Sequence, residues 1–358
     1  VGGRYTSDKR TAHVLRRTFI GGNTEPFGGM PTLIATTSDF DGSKTFTDFN
    51  PRVSVSWSPN NAHNFYVSYS QGFKGGSFDP RGQSTSVNAD LDGDGDVDQD
   101  DVFQFFLFEP EEVDSYELGW KTRSADGRIT SNLAVFFAEY SNVQIPGSVG
   151  GIDPVTGAQT FFGVTTNAGK AEFYGLEWEG TAQLGEGVFT DGDDFSIAWG
   201  GGVIDAGYEQ FIAGSPPVDV SDQRVIQNTP KWSGAIATNY TMPLALGESG
   251  GDLSVITQTS YKSRTNQFET RNNFLDQGGY TLFDASLVWN SDDGMYQLGL
   301  HGKNLTDKEY RVAGYNFMAT NPDGSLVTPL TPTLGAEGVL TSFYGPPRTV
   351  TATFEVKF

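Results

Sequence analysis

The chain has 358 residues and a formal net charge of -21, from 44 acidic and 23 basic side chains. That balance excludes nucleic acid as a partner, which would need a basic face. There is no Cys, which removes thiol chemistry, and no run approaches the about 18 apolar residues of a membrane-crossing helix.

Taken in order, the chain opens on Val1–Thr6, which reads like the middle of a strand with no Met or leader before it. The expectation is a piece whose N-terminal part lies upstream. A long polar loop with Gly21, Gly22 and Pro31 leads to a strand at Thr45–Trp57. There Val53, Val55 and Trp57 oppose Arg52, Ser54 and Ser56, one greasy face and one polar face. Further strands are expected at Asn64–Phe73, Val113–Arg123, Ile129–Val143, Thr165–Gln183 and Phe195–Phe211. Lys231–Tyr240, Leu253–Glu269, Tyr280–Asn290, Met295–Lys303 and the closing Tyr344–Phe358 complete a set of twelve. In the closing stretch Val350, Ala352, Phe354, Val356 and Phe358 alternate with Thr351, Thr353, Glu355 and Lys357.

The connections alternate between short and long. Tight turns such as Ser58-Pro59-Asn60-Asn61, Ala125-Asp126-Gly127 and Ser291-Asp292-Asp293-Gly294 follow the even strands, and long Gly-rich loops follow the odd ones. Short turns on one rim and long loops on the other, with strands of ten residues or more, predict an all-β antiparallel transmembrane β-barrel with periplasmic turns and extracellular loops. A sandwich would have strands of about five or six residues, and a propeller would repeat a blade motif. The polar rows would face the lumen, which makes Arg52, His301 and Lys303 residues that could touch a ligand. Phe27, Phe161, Phe162, Tyr315 and Phe317 are loop aromatics that could stack on one.

One loop carries a sharper motif. Asp90, Asp92 and Asp94 occupy positions 1, 3 and 5 of a calcium loop, with Gly95 at the sharp turn. Asp96 would offer its carbonyl, Val97 would pin the loop to a core, Asp98 would bind directly or through water, and Asp101 would close the shell. Calcium takes six to eight hard oxygens in flexible geometry, and this spacing wraps them round one point. A Ca2+ ion there is expected to order the Lys74–Glu112 loop, with Val102–Phe108 as a short exiting helix. A second acidic group, Asp191, Asp193 and Asp194, lacks ligand spacing and reads as a solvated turn.

Three stretches resemble a known family, the TonB-dependent receptors of the bacterial outer membrane. Asn50-Pro51-Arg52-Val53-Ser54-Val55-Ser56-Trp57 with Tyr69-Ser70-Gln71-Gly72-Phe73 looks like the family's mid-barrel hairpin. Asn167-Ala168-Gly169-Lys170-Ala171-Glu172, with Gly175 and Glu177, is similar to its N-A-G strand. Lys303-Asn304-Leu305-Thr306-Asp307 with Arg348–Phe358 resembles its C-terminal signature, in which a final Phe is the usual assembly signal. The resemblance implies a barrel of about 22 strands closed by a plug. Residues 1–358 would then be the C-terminal part of one barrel domain, without the plug. It also implies uptake of a scarce ligand (a siderophore, cobalamin or a glycan, a ferric siderophore foremost), powered through the TonB complex, with outer-membrane lipid as the surroundings. Asp101 in place of Glu departs from the EF-hand pattern but is similar to dockerin calcium loops. Two other readings share parts of the pattern: a passive porin-like channel, and a secreted calcium-dependent carbohydrate-binding β protein. No catalytic constellation is present. His13, His63 and His301 lack metal-ligand spacing, and no Ser sits in a nucleophile elbow, so the chain reads as a non-enzyme.

Overall fold

Alternation along the chain resolves into one antiparallel sheet. The computed structural model describes residues 1–22, 29–152, 159–167, 169–213, 217–333 and 338–357, with the backbone alone at 148–152 and 159–162. Phe27, Ala168 and Phe358 lie outside the described residues, as do the side chains of Phe161 and Phe162. Twelve strands follow a single path in which each pairs with its neighbours in sequence. They are β1 (Gly2–Ile20), β2 (Thr32–Asn60), β3 (His63–Lys74), β4 (Glu111–Arg123), β5 (Ile129–Ser141) and β6 (Gly169–Glu186). Then come β7 (Asp194–Ala213), β8 (Trp232–Pro243), β9 (Gly251–Lys262), β10 (Tyr280–Ser291), β11 (Tyr296–Lys303) and β12 (Thr349–Val356). The ends of the path, β1 and β12, each pair on one side only among the described residues.

Register sorts the two faces. Val55, Val67, Leu118, Val135, Leu176 and Val203 are successive partners across six strands. One step toward the tight turns, Trp57, Phe65, Trp120, Leu133 and Trp178 form the next row, with Trp57 and Phe65 stacked at 5.6 Å. Val55 and Leu118 are 62% and 60% exposed. In water a band of this kind would cost about 25 cal/mol per Å2; against lipid it is the required surface. The opposite face reads Ser56, Tyr66, Gly119, Ala134, Glu177 and Gly202. Gly119 is small by necessity, because a Cβ there would stand 2.2 Å from the Tyr66 ring.

The sequence expectation holds for the twelve wall strands and fails outside the membrane band. The stretch between Thr6 and Thr45 is mostly a paired ribbon: β2 alone runs 29 residues, on the order of 90 Å at ~3.3 Å per residue. The Gly-rich stretch after β5 is a hairpin of its own, Gln144–Ile152 with Gln159–Asn167. The connection before β12 holds another, Arg311–Asn316 with Leu340–Tyr344. Conversely, β9 stops at Lys262, short of the expected Glu269, because residues 263–267 are polar on both faces and give the strand no apolar row.

Among the described residues, one sizeable buried apolar cluster stands on the long-loop side of the wall. Helix α1 (Gln99–Phe106) lays Val102 and Phe106, one turn apart, against Val14, Phe40 and Phe46 of the β1–β2 ribbon. Phe78 and Leu107 complete it, and Phe40 stacks on Phe106 at 4.2 Å. This cluster roofs part of the outer mouth.

Candidate functional site

The aspartate loop leads directly into α1. Asp98 caps the helix, accepting from the Asp100 amide at 2.7 Å, and Asp101 closes a capping box by accepting from the Asp98 amide at 2.8 Å. The helix therefore starts at Gln99, earlier than Val102, because a capping box supplies acceptors for its orphan amides. Asp90 accepts from the amides of Gly93 and Gly95 at 2.6 and 2.9 Å, which bends the loop, and both glycines have positive φ. The carboxylates of Asp90, Asp92 and Asp94 converge, their ligand atoms within 4.8 Å of one another, and so do those of Asp92, Asp98 and Asp100.

Of the five carboxylates expected as ligands, four thus belong to these two groups and Asp101 does not; Asp96 was expected to offer its backbone carbonyl. Asp101 is fully buried, and its two oxygens accept from the amides of Leu91, Asp92 and Asp98. Those amides hold its carboxyl below the ordinary carboxylate value. Asp100 was missed by position counting and comes into range because the helix starts early. Val97 is 52% exposed and pins nothing; Val102 and Phe106 take that role. At Asp92 the Asp94 amide lowers the carboxyl. Burial and repulsion from Asp94, Asp101 and Asp90 outweigh that and raise it above the ordinary value.

Polar hubs tie this loop to its neighbours. Asn167, the first residue of the N-A-G motif, accepts from the Glu109 amide at 2.8 Å and donates to the Glu109 carbonyl at 2.9 Å. Gln144 donates to the carbonyls of Glu109 and Gly75 at 3.0 and 3.1 Å. Asp79, 3% exposed, accepts from the Arg81 guanidinium at 2.6 Å and the Thr165 hydroxyl at 2.8 Å. Nothing in the spacing of these residues announced those roles.

Arg81 opens onto a cavity of about 730 Å3 lined by segments from five connections between wall strands. Phe268, Tyr315, Phe317 and Met318 form its apolar side, and Arg81, Arg224 and Glu269 its charged side. Burial raises the Glu269 carboxyl, and Arg224 works against that rise. A second hollow of about 780 Å3 lies against the polar face of the wall, lined by Tyr66, Glu117, Lys121, Asn132, Glu177 and Glu179.

The other sequence candidates are placed as follows. His301 meets Ser286 at 3.0 Å and Lys303 meets Asp284 at 3.0 Å, so both are engaged within the wall. Arg52 shares the polar face with Ser54 and Ser56, opposite Ser70. Asp193, expected to be solvated, is fully buried. It accepts from the amides of Val188, Phe189 and Thr190 at 2.7, 2.9 and 2.8 Å and from the Tyr240 hydroxyl at 2.9 Å. The turn curls its own amides onto the carboxylate, which a reading by acidic content overlooks.

An antiparallel wall with a lipid-facing apolar band, tight turns on one rim and a loop-built mouth on the other defines an outer-membrane β-barrel protein. No helix among the described residues is long and apolar enough to cross a membrane, which says nothing about crossing by strands. Residues 1–305 match the family model "TonB dependent receptor-like, beta-barrel", and the chain belongs to that family, in the outer membrane of Gram-negative bacteria. The ferric yersiniabactin uptake receptor FyuA from Yersinia pestis has a similar fold, with a TM-score of 0.59 at 19% identity over 92% of this chain and 39% of that one. The ferric-catecholate import receptor Fiu from E. coli K12, closed form, gives 0.56 at 18% over 99% and 42%. The siderophore receptor PiuA from Acinetobacter baumannii gives 0.55 at 18% over 90% and 38%. This chain spans about two-fifths of the length of those receptors.

Proposed function

We propose that residues 1–358 form the C-terminal part of one barrel domain of a TonB-dependent receptor that takes up a ferric siderophore. The observation that carries the reading is the cavity at the outer mouth. Its volume of about 730 Å3 falls within the about 300–1,000 Å3 of small-molecule sites. It combines an aromatic side with guanidinium groups and is built from loops on a rigid wall, where ligand specificity is normally carried. The names of the similar receptors, for ferric yersiniabactin and ferric catecholates, support the ligand class. In this reading a plug segment N-terminal to the barrel part reaches the TonB complex, and lipid covers the apolar face.

Ca2+ belongs to the same proposal. Asp90, Asp92, Asp94 and Asp98 supply hard oxygens on a loop already bent by Gly93 and Gly95, and the raised Asp92 carboxyl reflects charge crowding that a cation would relieve. Bound calcium would supply charge neutralisation and would brace the segment that carries Arg81.

The uptake reading is tested by disrupting the gene in its own host. Loss of radiolabelled iron uptake from one class of ferric siderophore, restored by the intact gene, is the expected result. Unchanged uptake of every ferric siderophore, with cobalamin or glycan uptake lost instead, would overturn the ligand class.

A further inference from the structure

Arg224 is shared by two hollows. One is the large mouth cavity. The other, of about 290 Å3, is lined among others by Arg271, Lys231, Asp205, Ser221 and Asn266. Lys231 and Asp205 pair with each other at 2.8 Å, which cancels their charges. The two guanidinium groups have no such partner: among the described residues neither Arg224 nor Arg271 forms an ion pair or donates a side-chain hydrogen bond.

Arg4, Arg17 and Arg52 share that lack, in a chain where acidic groups outnumber basic ones 44 to 23; what sets Arg224 apart is its burial at the wall of two hollows. The Arg224 Nε is buried with no acceptor. Its guanidinium is nonetheless held in place, 5.1 Å from the centre of the Phe211 ring. Glu269 is near enough for its charge to be felt by Arg224 and forms no ion pair with it among the described residues. A planar fork of donors, fixed on an aromatic face and short of acceptors, is built to receive a carboxylate or a phosphate.

We infer that the smaller hollow is an oxyanion subsite, in which Arg224 and Arg271 hold the anionic end of a ligand whose body lies against Phe268 and Tyr315 in the adjoining cavity. This rests on the reading that the outer mouth binds the ligand, and it narrows the ligand to one that carries a free carboxylate or phosphate. Ser221 and Asn266 add neutral hydrogen-bonding groups to the same hollow.

The test is calorimetric titration of citrate and of inorganic pyrophosphate, at low ionic strength and without iron, into the receptor purified in detergent. Arg224→Gln, Arg271→Gln, Arg224→Lys and, as a distant control, Lys308→Gln are measured alongside. At least one anion should bind the native receptor, and each Gln variant should weaken it about tenfold or more, the loss expected for a charged hydrogen bond. Arg224→Lys should retain part of the affinity and Lys308→Gln all of it. Citrate alone would identify a carboxylate ligand and pyrophosphate alone a phosphate. No heat from either anion, or equal affinity in the Gln variants, overturns the subsite, with heat-modifiable gel migration confirming that each variant is folded. Iron uptake is a separate readout. If uptake fails while Arg-dependent anion binding persists, the siderophore reading falls and the subsite stands; if uptake holds and the Gln variants bind unchanged, the reverse follows.

Discussion

Asp193 is an acid that the fold keeps ionised. Burial pushes its carboxyl up, but the amides of Thr190, Phe189 and Val188 and the Tyr240 hydroxyl outweigh burial and hold it at about 2, against an ordinary value of 3.8. A folded-state value below the unfolded one stabilises the fold fully above the unfolded value, and that contribution is lost as pH falls through the folded one. The β6–β7 turn should therefore weaken between about pH 3.8 and 2. Asp193→Asn should remove that acid dependence and lower stability at neutral pH, read as the temperature of the heat-modifiable shift across this range. An unchanged acid profile in the variant would count against the account. At the aspartate loop, Asp94→Ala should abolish or strongly weaken the heat of calcium binding, and equal heats with and without Asp94 would remove calcium from the proposal.

Among the elements, α1 is the one whose loss is most local. Phe106 is fully buried in the roof cluster. Phe106→Ala should cost the roof about 3–5 kcal/mol and speed protease cutting between residues 79 and 98 while the wall keeps its heat-modifiable migration. Unchanged cutting would mean that the roof does not depend on this packing. The wall strands were legible in the sequence because lipid on one side and water on the other impose strict alternation. Above the membrane that pressure ends. The outer part of the β1–β2 ribbon mixes Thr, Asp, Arg and Lys on both faces, so it reads as loop although backbone pairing continues. The convergence of Asp90, Asp92 and Asp94 was legible because their spacing is local in sequence. Arg81, Arg224 and Arg271 were not, since only the fold of separate loops brings them to one mouth.

For the molecule as a whole, the edges that β1 and β12 leave unpaired among the described residues dominate behaviour outside its natural context. Unpaired amides and carbonyls are costly in lipid, where no water can satisfy them. A chain limited to these 358 residues should fail to insert as a monomer and should aggregate in detergent; a monomeric, protease-resistant, membrane-inserted product would refute this. The roof carries a consequence of another kind, in time rather than space. Its parts are Val14 and Phe40 from the ribbon and Phe106 from a loop some 66 residues beyond Phe40, and they meet only on the outer side. The loop must be delivered across the membrane before it can pack, so assembly has an obligatory order, wall first and roof last. During refolding into lipid vesicles, amide-exchange protection should reach β4 and β5 before α1, and simultaneous protection would show that the two form as one cooperative unit.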